Sequence, residues 1–145
     1  MSNKYSGKEI TLLLIASAEK EGLTPVKLQK AVFILQKAFP KYFTNIYHFS
    51  PYNYGPFDID IYHDADKLVR EELVEKKMVS TNFQRYVISL EGEETAPFVA
   101  KKLPKEVNDY IPRLMTWILP LTFEKLVSAI YKKYPEYKKN SVFKD

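Results

Sequence analysis

The sequence contains no cysteine among its 145 residues, and only four glycines, two histidines and one tryptophan. The absence of cysteine excludes disulfides and cysteine zinc sites. No apolar run approaches the roughly 18 residues of a membrane span. There is no glycine-rich phosphate loop, and a Ser–His site would have to use His48 or His63. The sequence therefore predicts no enzymatic activity, no cofactor and no metal site.

The length of the chain is that of one ordinary domain, since 145 residues bury roughly 68–70% of their unfolded surface. We predict a single domain over residues 1–145, with a core at 8–92 and a C-terminal helical extension at 93–145. Residues 10–18 loosely mimic a secretory signal, but Glu9 interrupts the charge pattern of such a signal. Cytoplasmic localisation, without a membrane, is the expectation.

The net charge of +4 is unevenly distributed along the chain. Residues 1–41 carry seven bases against three acids, residues 42–100 carry five against ten, and residues 101–145 carry ten against five. This pattern predicts basic flanks around an acidic centre. Lysine-rich faces are more often solvated surface than nucleic-acid sites, so the basic flanks alone do not predict DNA binding.

Two helices are predicted near the start of the chain. The first covers about residues 8–20 and ends at Gly22, which is typical of a helix C-terminus. The second begins directly afterwards, because Thr24 is a good N-cap and Pro25 is favoured as the first helical residue. Pro40 ends the second helix.

The second helix has one apolar face and one polar face. Its apolar positions follow the helical repeat: Leu28, Ala31, Val32, Leu35 and Phe39. This spacing predicts that Lys27, Lys30, Lys37 and either Gln29 or Gln36 face the solvent.

Residues 42–57 contain one third of the aromatic residues in the chain: Tyr42, Phe43, Tyr47, Phe49, Tyr52, Tyr54 and Phe57. The segment is too rich in Pro, Asn and Gly for a helix, and we predict a short strand at 46–49. Two interpretations remain open, and each can hold for different rings. The rings either close the core between two helices or form a partner surface, since Tyr and Phe are typical binding anchors.

A third helix is predicted over residues 58–72, with Asp58 as its N-cap. It is strongly acidic and carries Asp58, Asp60, Asp64, Asp66, Glu71 and Glu72 against only Lys67 and Arg70. Part of this acid is explained by capping and by the helix dipole. Because DNA affinity depends on contacts between cations and phosphates, this helix is poorly suited to reading DNA. Its mixed solvent face, with Asp60 and Asp64, instead predicts a surface for a basic partner.

A β-hairpin follows, because residues 74–79 and the alternating Tyr86, Ile88 and Leu90 flank the polar turn 80–82. We expect one face of the hairpin to pack on the core. The order of three helices and a hairpin is that of a winged helix. The predicted fold class is therefore mostly α (α+β), with a winged-helix-like core, a hairpin wing and C-terminal helices.

The remaining residues read as helices interrupted by four prolines: Pro97, Pro104, Pro112 and Pro120. We expect Pro112 to kink or restart the helix that contains it. The last helix has an apolar stripe composed of Phe123, Leu126, Val127, Ile130, Tyr131 and Tyr134. Pro135 ends this helix, and a basic tail follows.

Two motifs carry a resemblance to a known family. Lys27-Leu28-Gln29-Lys30 lies in the second helix, and Tyr54-Gly55-Pro56-Phe57 precedes the third. With Phe33-Ile34-Leu35 and Ile61-Tyr62, they make residues 8–92 resemble the phage-associated SocA-like proteins, also called Panacea-domain antitoxins. The chain is also similar to a group of bacterial and archaeal proteins with a KLQK…ILQK…YGPF pattern.

The resemblance implies a small intracellular protein that binds a partner protein, such as a toxin or another phage or host protein. Transferred to this chain, it implies contacts from the two motifs, and the predicted partner-binding residues are Lys27, Gln29, Lys30, Tyr52, Tyr54, Gly55, Pro56, Phe57, Asp60 and Asp64. The alternative is a DNA-binding transcriptional regulator that uses the wing and the basic flanks, through Lys27, Lys30, Lys76, Lys77 and Arg85. Under the first hypothesis nucleic-acid binding is weak, and homodimerisation is left open.

Overall fold

The computed structural model describes residues 5–81 and 83–143, and the predicted turn residue Asn82 lies outside them. Within these residues the protein is mostly helical with two β-hairpins, which confirms the α+β class. The helices are α1 (Gly7–Ser17), α2 (Pro25–Ala38), α3 (Pro40–Phe43), α4 (Ile59–Arg70), α5 (Leu90–Ala100), α6 (Lys105–Ile118) and α7 (Phe123–Lys133). The strands are β1 (Ser50–Tyr52), β2 (Gly55–Phe57), β3 (Val74–Ser80) and β4 (Phe83–Ile88).

Side-chain caps fix the starts of the first helices. Ser6 and Glu9 form a reciprocal capping box at α1. The predicted caps of the next two long helices are confirmed: Thr24 accepts a hydrogen bond from Lys27 N, and Asp58 accepts one from Asp60 N. Each cap satisfies a backbone N–H that has no partner within its helix.

The hairpin β3–β4, which we call the wing, completes the winged-helix-like core. Its strands are antiparallel, and Val74 lies opposite Ile88. Leu23, between α1 and α2, exchanges two backbone hydrogen bonds of 2.9 Å with Tyr86 of β4. This bridge ties the entry to α2 to the wing.

The C-terminal helices cover the core. One cluster of buried apolar side chains draws members from α1, α2, α4, α6 and α7, among them Leu14, Leu28, Phe33, Ile61, Leu68, Val107, Ile118 and Leu126. Farther along, a 3-10 turn (Pro135–Lys138) places Tyr137 against Phe33 with ring centroids 5.0 Å apart. The α2 helix is therefore enclosed by later parts of the chain.

Three local predictions need correction. The strand expected at 46–49 is wrong, because the pairing lies between β1 and β2, and Tyr47 makes its backbone hydrogen bonds to a side chain of α2. Leu90 does not belong to the hairpin; it begins α5 and is exposed. Beyond Val74, strand β3 is exposed along its whole length, so only the base of the wing faces the core.

Helix α6 continues through Pro112, so the restart considered at this residue does not occur. Pro40 and Pro135 follow the ends of α2 and α7, and each then opens a short helical turn. Among the described residues, no helix combines the length and the apolar character that crossing a membrane requires.

Candidate functional site

Lys30 is buried, which corrects the prediction that it faces the solvent, and of the two glutamines considered for the solvent face, Gln29 is buried while Gln36 is partly exposed. Gln29 is 1% exposed and Lys30 is 3% exposed, and both lie under the hairpin β1–β2. The apolar repeat of α2 identifies only one of the two buried sides of this helix. A second side of the helix is covered by residues 47–58, and such burial is tolerated only where polar groups find hydrogen-bond partners.

Two glutamines of α2 hold the two ends of this covering segment. Gln29 donates to the backbone oxygen of Asp58 at 2.9 Å and accepts from the backbone nitrogen of Asp58 at 3.0 Å. Gln36, two helical turns later, makes the same pair of bonds to Tyr47, at 2.8 and 3.2 Å. The 47–58 segment is thus fixed on α2 as a loop with both ends tied.

The Asp58 carboxylate closes the base of the same loop. One oxygen accepts from the backbone nitrogen of His48 at 2.7 Å, and the other caps α4 through Asp60 N at 2.8 Å. Asp58 therefore has a structural role, and its charge is offset by two backbone donors and by the helix dipole.

A cavity of about 130 Å³, which we call the lysine cavity, lies between α2, the β1–β2 hairpin and α4. It is lined by Val26, Gln29, Lys30, Tyr52, Asn53, Tyr54, Gly55, Phe57 and Tyr62. The structure therefore brings together six of the ten predicted partner-binding residues. Pro56 lies beside them, while Lys27, Asp60 and Asp64 lie elsewhere.

The Lys30 ammonium is poorly satisfied inside this cavity. Its one hydrogen bond among the described residues is a long one of 3.4 Å to the backbone oxygen of Pro56. Burial lowers the pKa of Lys30 to about 8, because desolvation penalises the charged form. Gly55 adopts φ +106°, a conformation that favours glycine, and a Cβ at this position would lie 3.7 Å from Lys30 Nζ. The backbone therefore approaches the amine closely.

Some aromatic rings of residues 42–57 pack in the core, and others form an exposed surface. Phe43 and Tyr47 are buried and close the core, whereas Tyr52 and Tyr54 are exposed. Tyr52 stacks on Phe57 with ring centroids 4.9 Å apart. The Tyr54 ring contacts the ring of Phe123, in α7, at 5.0 Å. Tyr52 and Tyr54 thus form the outer rim of the lysine cavity.

Several acidic side chains in and directly after α4 form hydrogen bonds or ion pairs within the molecule. Asp64 accepts a hydrogen bond from the Tyr47 hydroxyl, and burial together with this bond raises the pKa of Tyr47. Asp66 pairs with Lys76 at 3.1 Å, and Glu71 pairs with Lys8 at 2.7 Å.

Asp60, paired with His63 at 3.2 Å, remains well exposed. No group of three His, Asp or Glu side chains in the described parts of the chain is arranged to hold a metal ion. Of the two predicted acidic contacts, Asp60 is accessible, whereas Asp64 serves mainly to hold Tyr47.

Four of the five cations of the DNA hypothesis are buried or bonded within the molecule. Lys27 Nζ donates to the backbone oxygen of Leu119 at the end of α6, and burial lowers the pKa of Lys27. Arg85 donates to the backbone oxygen of Glu21 at 3.3 Å. With Lys30 buried and Lys76 paired, Lys77 alone of the five is exposed with no partner among the described residues.

The wing carries an apolar tip that the sequence reasoning missed. Met78, Val79 and Phe83, which we call the wing tip, are each more than 60% exposed. A groove of about 560 Å³ separates the tip from α2 and α7 and is lined by Met78, Phe83, Val26 and Phe123, among others. The sequence signal was the break in alternation after Lys77, where two apolar residues follow each other in a strand.

The wing-tip groove and the lysine cavity are neighbours. Val26 lines both, and Phe123 lines the groove while contacting Tyr54 at the cavity rim. We call the surface from the wing tip through Phe123 to Tyr52 and Tyr54 the apolar face.

A search of models of known protein families and of curated proteins found no match to the chain. The resemblance to SocA-like antitoxins therefore rests on the two motifs alone. In this structure, the motifs meet in one place: Gln29 and Lys30 bind the backbone of residues 56–58.

Proposed function

We propose that this protein is a protein-interaction module, acting as an antitoxin or adaptor, and that it binds its partner protein with the apolar face. The observation that carries this proposal is the wing tip, where three large apolar side chains project into solvent. Exposed apolar patches on a small domain are typical of interaction sites, and Met and aromatic residues are enriched in them.

The charges around the face favour a protein partner over DNA. Four of the five cations considered for DNA binding are buried or bonded within the molecule, and DNA affinity falls with every cation that cannot reach a phosphate. Asp60 on α4 and Glu72, which follows the end of α4, stay exposed, and both would repel phosphates. A partner with apolar anchors and a basic rim fits this distribution.

The resemblance adds the expectation that the partner is a toxin or another phage or host protein. The motif residues Gln29, Gly55 and Pro56 then act indirectly: they are buried, and they hold Tyr52 and Tyr54 in place. Among the predicted contacts, only the exposed residues can touch a partner directly.

The test is affinity purification from the native host with two matched variants. Met78→Ser with Phe83→Ser removes the wing tip, and Phe98→Ser removes an equally exposed apolar side chain from α5. We expect a partner that is captured by wild type and by the α5 variant and is lost with the wing-tip variant. Equal capture by all three proteins would remove the wing tip from the mechanism.

A salt titration of DNA binding tests the alternative function. If the module binds protein, any DNA affinity should be weak and should not depend on Lys77. Tight binding whose logarithm falls steeply with the logarithm of salt concentration, and which Lys77→Ala reduces, would favour the regulator instead.

A further inference from the structure

We propose that the lysine cavity is a binding site for a carboxylate group, with the Lys30 ammonium as its counterion. The proposal does not depend on the proposed function, since the site is formed by one chain and can be tested without a partner.

The first argument is the state of the amine. Lys30 is only 3% exposed, yet its one hydrogen bond within the described parts of the chain is a long one, to a neutral backbone oxygen. An ammonium group has three donors, and no described Asp or Glu forms an ion pair with it. A buried amine in this state gains more from an incoming anion than an exposed one, because desolvation has already been incurred.

The second argument is the space in front of the amine. The cavity of about 130 Å³ is large enough for a carboxylate with a short aliphatic stem. Gly55 lines this space beside the amine, and a Cβ at this position would lie 3.7 Å from Lys30 Nζ. Its positive φ independently favours glycine.

The third argument is access. Tyr52 and Tyr54 both line the cavity and are exposed, at 52% and 41%. The cavity therefore meets the solvent at these two rings, whose faces can pack against the stem of the ligand.

The charge of the site fits a carboxylate better than a phosphate. Lys30 is the only cation that lines the cavity among the described residues, so a single negative charge is neutralised and a second one is not. Phosphate sites usually add an arginine fork or several backbone donors at a helix N-terminus, and neither lines this cavity within the described parts of the chain.

The experiment is a pH titration of the Lys30 side chain by NMR in protein labelled with ¹³C-lysine. The Lys30 resonance is assigned by its loss in Lys30→Met. If that variant does not fold, Lys30→Arg serves the same purpose. The probes are sodium acetate and sodium propionate, each compared with sodium chloride at equal ionic strength. We expect saturating probe to raise the pKa of Lys30 by about one, a tenfold change in proton affinity. Lys27, on the same helix but outside the cavity, is the internal control and should not respond.

A second pair of probes identifies the source of the carboxylate. A capped tripeptide with a central glutamate stands for an acidic side chain of a protein, and its glutamine analogue is the control. A response to the glutamate peptide supports a protein side chain, whereas a response to acetate and propionate alone supports a free small acid. If neither the acids nor the peptide moves the pKa of Lys30 beyond the chloride control, the proposal is wrong and Lys30 serves only to hold the carbonyl of Pro56.

Discussion

The two glutamines of α2 provide the sharpest test of how the apolar face is positioned. We predict that Gln29→Leu destabilises the protein much more than Gln36→Leu does. Both side chains make the same pair of backbone hydrogen bonds, but Gln29 is 1% exposed and Gln36 is partly exposed. The comparison therefore holds the chemistry constant and varies the burial.

The expected loss of unfolding free energy depends on which hydrogen-bond partners each backbone group keeps after the substitution. After Gln29→Leu, the Asp58 oxygen still accepts from Ile61 N at 3.2 Å, but no other partner is described for the Asp58 N–H. A buried donor without a partner costs about 1–3 kcal/mol, and the second broken bond adds about 1 kcal/mol, so we expect a total loss of about 2–4 kcal/mol. At Gln36 the corresponding bonds are only part-buried, and we expect a smaller loss of about 1 kcal/mol or less.

Urea unfolding followed by circular dichroism measures both variants against wild type, with unchanged m-values as the check for two-state behaviour. The reasoning is refuted if Gln29→Leu costs no more than Gln36→Leu, because the buried bonds would then contribute nothing beyond the exposed ones.

Three further variants address single side chains. Gly55→Ala should lose about 1–3 kcal/mol of unfolding free energy, because alanine is strained at φ +106°, and thermal unfolding checks this; an unchanged melting temperature would contradict it. Relative to Lys30→Met, wild type should gain up to about 3 kcal/mol of stability as pH rises from about 8 toward 10.5, since over this interval the unfolded chain binds more protons at Lys30 than the folded one. Urea unfolding at pH 7 and pH 10 gives the difference, and a constant difference would show that Lys30 titrates normally. Tyr47→Phe, which removes the hydroxyl bonded to Asp64 and Thr11, should cost about 1–3 kcal/mol in the same assay, and a neutral effect would remove this network from the account.

Local signals were sufficient to predict the starts of α2 and α4 and the presence of the wing. The caps Thr24 and Asp58 act on backbone groups two or three residues away, so a short sequence window contains the whole interaction. The apolar spacing of α2 likewise identified side chains that are buried. These features depend on neighbours in sequence, and they were confirmed.

The burial of Gln29 and Lys30 could not be predicted from the same patterns. Their partners, Asp58 and Pro56, lie more than 25 residues away, and they are backbone atoms that carry no residue-specific signal. The two motifs of the resemblance contact each other in the structure through Lys30 and Pro56, which the sequence patterns did not predict. The contacts of Gln29 and Lys30 lie inside the molecule, where they hold the segment that carries the exposed rings of Tyr52 and Tyr54.

The apolar face itself is visible only in three dimensions. Phe83 and Phe123 lie far apart in sequence but line one groove, and Tyr54 joins them through its contact with Phe123. Sequence reasoning included Tyr52 and Tyr54 among the predicted partner contacts, together with Asp60 and Asp64 of α4, but it did not include the wing tip. Of the acidic side chains in and directly after α4, Asp64, Asp66 and Glu71 form hydrogen bonds or ion pairs with other parts of the chain.

The most direct test of the central claim is the affinity of the purified partner for the wing-tip variant, Met78→Ser with Phe83→Ser, measured by calorimetry beside wild type and Phe98→Ser. Exposed side chains of this kind contribute little to folding, so all three proteins should unfold within about 0.5 kcal/mol of one another. We predict that the wing-tip variant loses about 30-fold or more in affinity, the effect of one binding hot spot, while Phe98→Ser binds as wild type does. Equal affinity of all three proteins for the partner would contradict the account.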